Sequence, residues 1–439
     1  MIKAKEYESR RRNFMNQMGD KSIAIIPSAE EVVRSRDTHF PFRQDSNFWY
    51  LTGFHEPNAM AVFIPGRAQG EFVLFCRDRD IDREIWDGYR EGPDGARANF
   101  GADDAFPIDD LDEILPGLIE GREKVFFRIG QNVDLDRHLN QWLDHIRQQS
   151  RSGASVPGEI VDPQHILHEM RLIKSSAEVK LMRKAAKISA EAHCNAMNIA
   201  KPGIHEYELQ AEIEYHFARN GASGAAYSSI VGSGANACVL HYITNSKKTE
   251  SDDLVLIDAG AEYQGYAADI TRTFPVNGRY GEAQKAIYEL VLKAQLAAID
   301  LCRPGVKFNE PHEACVQIIT QGLVDLGLLN GVVDQLIKDR AYMDFYMHRA
   351  GHWLGLDVHD VGEYKIDGAD SEWREFEPGM VTTIEPGIYI QANNEKVDAR
   401  WRGIGVRIED DVLITKDGHE VLTSAVPKTV ADTEALMQQ

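Results

Sequence analysis

The segment from Leu254 to Ile270 restricts the fold most. Leu254-Val255-Leu256-Ile257 is an apolar run ending in Asp258, and Tyr266-Ala267-Ala268-Asp269-Ile270 is a second strand-like run. Residues 262–265 between them have the composition of a turn, so the two runs predict an antiparallel hairpin. Directly opposite residues in such a hairpin share a constant index sum. For Asp258 and Asp269 that sum is 527, which centres the turn between Tyr263 and Gln264. The two carboxylates then stand side by side, with Cβ atoms about 5 Å apart. Like charges so placed repel, and they persist if a cation lies between them or if one stays protonated. The alternative is a pair splayed on a solvated edge.

The rest of the chain shows where such a hairpin sits. With 439 residues it is long enough for two or three domains. Apolar runs at 22–27, 60–64 and 71–76 alternate with polar helical stretches and predict an α/β domain. A loop rich in Ser, Gly and Pro at 148–158 follows it, and the boundary falls near Arg171, giving domains 1–172 and 173–439. Ser175-Ser176-Ala177-Glu178 fits a capping box opening a helix with Leu181, Ala185, Ile188 and Ala192 on one face. Lys201-Pro202-Gly203-Ile204 breaks it, and a second helix carries Leu209, Ile213 and Phe217 up to Asn220-Gly221. The order recurs: a helix with Ile287, Leu290, Ala294 and Ala297, a break at Arg303-Pro304-Gly305-Val306, then a helix with Cys315, Ile318 and Leu323. Strand-rich sequence comes after each pair, so the second domain reads as a duplicated unit whose halves meet at a seam suited to a site.

Three further clusters carry chemistry. His348, His352 and His359 fall in one short Gly-containing stretch. Neutral imidazole is a metal ligand whose second nitrogen a neighbour can fix. In Thr383-Ile384-Glu385-Pro386-Gly387-Ile388-Tyr389, a Pro-Gly turn holds an acid at the end of a strand. In Gly405-Val406-Arg407-Ile408-Glu409-Asp410, alternation puts Arg407 and Glu409 on one face. A surface ion pair explains that last motif equally well. Together the clusters supply Asp258, Asp269, His352, Glu385 and Glu409. Their four carboxylates would balance two divalent cations, and an oxygen-dominated set with one imidazole suits Mn²⁺ better than a thiolate-preferring metal.

Composition excludes several classes. Net charge is −21, from 48 Lys and Arg against 69 Asp and Glu, which disfavours a nucleic-acid partner. The N-terminus is charged and no long apolar run exists, so neither a secretory signal nor a membrane span is expected. Cys76, Cys194, Cys238, Cys302 and Cys315 are scattered without metal-ligand spacing, which predicts free thiols in a reducing cytoplasm.

Ile257-Asp-Ala-Gly, Ala268-Asp-Ile-Thr-Arg272, His352-Trp-Leu-Gly-Leu-Asp-Val-His359, Ile384-Glu-Pro-Gly and Arg407-Ile-Glu-Asp resemble the metallopeptidase family of pita-bread fold. Within it the aminopeptidase P branch is most similar, because the likeness extends to Pro41-Phe-Arg-Gln-Asp-Ser-Asn-Phe-Trp-Tyr-Leu-Thr-Gly-Phe54 and to Ile230-Val-Gly-Ser-Gly-Ala-Asn and Leu240-His-Tyr242. The chain departs from bacterial members at Arg349-Ala350-Gly351, which removes no ligand but alters the pocket rim.

The resemblance implies a small creatinase- or prolidase-type α/β domain with a role in substrate access and oligomerisation. It also implies a pita-bread catalytic domain with pseudo-twofold halves. The implied activity is release of the N-terminal residue from peptides with proline second, by a hydroxide shared between two Mn²⁺ ions. By the same resemblance Asp269 and Glu409 bridge the ions, Asp258 completes one site, and His352 and Glu385 complete the other. His359 is expected to stabilise the oxyanion and His241 to contact the substrate. Glu385 is expected to relay a proton, and Arg407 to orient the carboxylates with Tyr389 nearby. His348 and Tyr389 are candidate substrate contacts, as is Trp86, which would reach a neighbouring subunit's pocket in a homodimer or homotetramer. A prolidase confined to Xaa-Pro dipeptides would use the same ligands. A noncatalytic peptide-binding module is the rival from another class.

Overall fold

The computed structural model describes residues 2–366, 368 and 370–438. The chain divides into two compact units, Met1–Met170 and Arg171–Gln439.

The first unit is built on a mixed six-stranded sheet, in the order Asp104–Pro107, Phe72–Cys76, Met60–Phe63, Ser22–Pro27, Lys124–Phe126 and Glu159–Val161. The runs at Met60–Phe63 and Phe72–Cys76 are buried at every residue, because helices cover both faces of the sheet and leave no polar alternation. Helix Val133–Gln148 starts at Asn132, whose side chain accepts the Asp134 and Leu135 amides, and it buries Leu139, Trp142, Leu143 and Ile146 as one stripe. In the Pro41–Phe54 motif, Asp45 caps the helix Ser46–Thr52 and Gly53 closes it at φ +65°.

The second unit contains two helix pairs, each leading into strands. Ser175 and Glu178 close a capping box on helix Ser176–Ile199, which buries Leu181, Ala185, Ile188 and Ala192. Helix Glu206–Arg219 buries Leu209, Ile213 and Phe217, and the chain turns at Asn220 and Gly221. The later pair is Glu282–Asp300 and Glu310–Asp325. Both breaks between paired helices place glycine in the left-handed region, Gly203 at φ +89° and Gly305 at +83°. The buried stripe of Glu282–Asp300 runs through Ile287, Tyr288, Val291, Ala294 and Ala298, so Leu290 and Ala297 flank the core rather than fill it. Ile318 likewise gives way to Ile319 as the fully buried residue on Glu310–Asp325.

The first half contributes a sheet of Ile230–Ser233, Leu254–Asp258 and Thr271–Pro275. The second contributes Val381–Ile384, Asp410–Thr415 and Gly418–Val421, with Gly387–Ile390 paired to Ile404–Arg407. The five cysteines are free thiols, four of them buried. Among the described residues no helix is long and apolar enough to cross a membrane.

Candidate metal centre and cleft

The hairpin forms, but in a different register from the one expected. Tyr263 pairs with Tyr266 and Asp258 with Thr271, so the index sum is 529 rather than 527. The turn is Gln264-Gly265, both at positive φ (51° and 86°), the pattern of a two-residue hairpin loop. A shift of two residues keeps the same face. Asp269 therefore lies diagonal to Asp258 on one side of the hairpin, two residues before Thr271. Between the strands the backbone closes tightly: a Cβ on Gly260 would lie 1.6 Å from the Ala268 carbonyl oxygen. The splayed, solvated alternative does not hold, since Asp258 and Asp269 are both buried.

The second sheet brings its acids to the same place. Glu385 directly succeeds strand Val381–Ile384, and Glu409 lies between Ile404–Arg407 and Asp410–Thr415. The Glu409 amide donates to the Thr271 carbonyl, tying the two sheets together at the ligand itself. Asp269, His352 and Glu409 each offer an atom within 4.8 Å of the others. His352 Nε2 is 3.5 Å from Asp269 Oδ2 and 3.7 Å from Glu385 Oε1. His352 Nδ1 lies 2.9 Å from the Trp353 carbonyl oxygen, a contact that places the proton on Nδ1 and leaves Nε2 free as a ligand.

A buried set of hydrogen bonds aims the carboxylates. Arg407 Nη2 donates to Asp258 Oδ2 at 2.7 Å, Nη1 to the Tyr389 hydroxyl at 3.0 Å, and Nε to Thr271 Oγ1 at 3.1 Å. Thr271 in turn donates to Glu409 Oε2 at 2.6 Å. Arg407 and Glu409 are thus joined through a threonine in the interior, and the surface ion pair is ruled out. Tyr389 donates on to His348 Nε2 at 2.8 Å, and His348 Nδ1 donates to the Arg349 carbonyl at 2.7 Å. Burial, reinforced by Arg407, lowers the His348 imidazole to about 3, so this chain of donors has one direction. Asp411 accepts the Asp269 amide with both oxygens at 3.2 Å.

The electrostatics require positive charge at the centre. Burial first, then the neighbouring carboxylates, push Glu409, Asp269 and Asp411 above the usual range. Glu385 is raised by burial despite His352 and Arg407. Burial opposes a charged His352, but Asp269 and Glu385 outweigh it and raise the imidazole to about 9. Protons stand where counter-charge is needed. Oxygen donors with one tautomer-fixed imidazole fit hard divalent ions.

The expected site residues fall in two groups. His241, His348, His352, His359, Asp258, Glu385 and Arg407 line one cleft of about 830 Å³. His359 meets His352 edge to face at 4.4 Å between ring centroids, and burial, then the His352 charge, lowers its pKa. His348 has both nitrogens engaged within the protein, so only its carbon edge is left for a substrate. Trp86 belongs to the first unit, on helix Ile81–Asp87, and is 84% exposed.

Three contributors escaped the sequence reading. The Tyr227 hydroxyl lies 2.6 Å from Asp258 Oδ1 and 2.5 Å from Asp269 Oδ1, brought there by pairing of Ile230 with Asp258. Thr271 bridges Arg407 and Glu409. Asp360, beside His359, accepts Arg171 Nη2 at 2.6 Å and Lys174 Nζ at 2.9 Å, all buried, and so anchors the His359 loop. Thr271 stands inside the Ala268–Arg272 motif and Asp360 directly follows His359, but local sequence assigns neither of them these partners.

A cleft floored by these groups is the site of a metal-dependent hydrolase. Residues 180–416 match metallopeptidase family M24, and residues 7–127 match the aminopeptidase P N-terminal domain. The Xaa-Pro aminopeptidase of Escherichia coli strain K12 is 45% identical over 99% of this chain and 98% of its own. The solved structure of Pseudomonas aeruginosa aminopeptidase PepP matches with a TM-score of 0.98 at 58% identity, covering 100% of this chain and 98% of that one. Zn-substituted E. coli aminopeptidase P in complex with product matches at 0.96 and 45% identity, with coverage of 100% and 98%. The chain belongs to metallopeptidase family M24, with a pita-bread catalytic unit behind an aminopeptidase P-type N-terminal domain.

Proposed function

We propose that this chain is an Xaa-Pro aminopeptidase, which releases the N-terminal residue from peptides with proline second. The observation that carries the reading is the match to the E. coli enzyme along 99% of the chain, joined to the carboxylate and histidine cluster in one cleft. Asp258, Asp269, His352, Glu385 and Glu409 would hold two divalent ions, with Asp269 and Glu409 shared. The donor set favours Mn²⁺. When bound, such ions acidify water and polarise a carbonyl.

The protein's own groups do the rest. Arg407 fixes Asp258 directly and Glu409 through Thr271, so the acids hold one geometry as substrate enters. His359, kept neutral by burial, offers an N–H to the oxygen that gains charge at the scissile carbonyl. Glu385 takes the proton of the attacking water and passes it to the leaving proline nitrogen. That nitrogen belongs to a tertiary amide without an N–H, so the site must align the carbonyl without an amide donor from the substrate. His241 supplies a contact on the exposed rim.

Ile81, Ile85, Trp86 and Tyr89 are each at least 75% exposed, which supports a homodimer or homotetramer covering that face. A cytoplasmic location accords with the free thiols. The test is turnover of Ala-Pro-Ala after chelation and reloading with Mn²⁺. Release of alanine from the tripeptide supports the reading, whereas hydrolysis of Ala-Pro alone points to a prolidase.

A further inference from the structure

Glu206 opens the helix Glu206–Arg219, and its side chain lies wholly inside the protein. Five uncharged groups donate to its carboxylate. Oε1 accepts the Ser233 amide at 2.7 Å, the Ser233 hydroxyl at 2.8 Å and Asn236 Nδ2 at 3.0 Å. Oε2 accepts the Tyr242 hydroxyl at 2.9 Å and the Lys247 amide at 2.8 Å. The Glu206 amide donates back to the Lys247 carbonyl at 3.0 Å. Lys247 turns its own Nζ to Asp253 instead, at 2.8 Å. Burying a carboxylate is costly unless its lone pairs are filled, and here the donors fill them. Packing alone would be served by an apolar side chain. What the acid adds is a fixed path for the chain around it.

The donors bracket one segment. Ser233 and Asn236 begin it, Tyr242 and Lys247 end it, and each carboxylate oxygen holds one limb. His241 stands at the turn between the limbs, exposed, and lines the cleft beside Leu240. Between Cys238 and Leu254 the chain forms neither helix nor strand, so no regular ladder holds that limb in place. Asn245 supplies a second brace. Buried and at φ 46°, it accepts the Val231 amide at 3.0 Å and donates to the Ser229 carbonyl at 2.8 Å. An imidazole on a loose loop would lose freedom each time substrate bound, and a clamped loop has lost it already.

We propose that Glu206 is a positioning residue for the peptidase reaction: by clamping both limbs of segment 233–247, it holds His241 at the cleft for the substrate. This rests on the Xaa-Pro aminopeptidase reading and deepens it. Glu206 acts through His241 and not through the metal-binding acids, because its side-chain hydrogen bonds all run to that segment.

Glu206→Gln tests this, because it keeps the side chain's shape and sets an amide donor against the other donors. In the Mn²⁺-loaded protein, kcat/KM for Ala-Pro-Ala should fall roughly tenfold to a hundredfold, the scale of a displacement of about 1 Å at the reacting groups. Bound metal, read by elemental analysis, should hold. In a His241→Ala background the same substitution should add almost nothing to the loss, since the residue it positions is gone. Tyr242→Phe removes one donor and should show the same pattern at severalfold. Hydrogen exchange over 239–247 should quicken in both variants, while Leu254–Asp258 stays protected. A folded Glu206→Gln protein with unaltered kcat/KM overturns the proposal. So does an equal loss in the His241→Ala background, or a loss of bound metal. Should Glu206→Gln fail to fold, unaltered kcat/KM in Tyr242→Phe overturns it. Quickened exchange with no cleavage of Ala-Pro-Ala by the unaltered protein overturns the aminopeptidase reading alone; cleavage by the unaltered protein that Glu206→Gln matches overturns the positioning role alone.

Discussion

Thr271→Val isolates the hydrogen bonds that aim the metal-binding acids. Thr271 is fully buried, accepts Arg407 Nε and donates to Glu409 Oε2 at 2.6 Å. Valine has nearly the same shape and suits a strand, so the change removes the hydroxyl and little else. Each bond involves a charged partner and is worth about 1.5–3 kcal/mol. Arg407 keeps its bonds to Asp258 and Tyr389, so the larger loss falls on Glu409. Losing one such bond on a ligand weakens metal binding by about 10–100-fold, the usual range for partners behind the first ligands. The assay is metal affinity by competition with a chelator, alongside kcat/KM at saturating Mn²⁺. Affinity should fall by that factor, and excess metal should restore most of the activity. Thr271→Ser keeps the hydroxyl and should restore affinity. A Thr271→Val protein with unaltered metal affinity and unaltered kcat/KM would refute the claim that Arg407 and Thr271 position Glu409.

The same geometry fixes other outcomes. Replacing Asp258, Asp269, His352, Glu385 or Glu409 with Ala should abolish turnover and lower the bound metal measured by elemental analysis. His359→Ala should lower kcat by about 10²–10³ while metal content holds, because the ring stands beside the ligands rather than among them. Asp360→Asn should cost about 3–5 kcal/mol at pH 7 in urea unfolding, since it leaves Lys174 buried without a carboxylate, while Arg171 keeps Asp357 at 2.7 Å. Burial alone would raise the Asp360 carboxyl, but Lys174 and Arg171 outweigh it and hold it below the usual range. Its contribution is therefore fully present above an unfolded value of about 3.9 and is lost as pH falls through the folded one. The stability gap between the unaltered protein and Asp360→Asn should narrow below about pH 4.

The sequence was legible where local pattern decides the outcome. The capping box at Ser175, the stripe through Leu209, Ile213 and Phe217, and the strands of the first unit all arise from spacing and caps. The hairpin register was misjudged because two positive-φ residues, Gln264 and Gly265, set the turn, and the ends of the apolar runs do not reveal that. The shared face survived only because the error was an even number of residues. Tyr227 was out of reach: nothing near it in sequence carries charge, and long-range pairing of Ile230 with Asp258 puts it between two carboxylates. Arg407 was visible as a cation near an acid, but its burial and its partner Asp258, 149 residues away, belong to the tertiary structure. Part of the −21 charge likewise sits in the interior, where Asp410 meets Arg272 and Lys428 rather than solvent.

The central claim is that the cleft acts on the bond ahead of proline. Under identical Mn²⁺ loading, kcat/KM for Ala-Pro-Ala and Ala-Ala-Ala measures it directly, with released alanine quantified for each. A rigid ring loses little entropy on binding, and the contacts it fills are worth about 1–3 kcal/mol, so the proline peptide should be favoured by roughly tenfold or more. Equal rates for the two peptides would contradict the claim and mark a general aminopeptidase, even with every metal ligand in place.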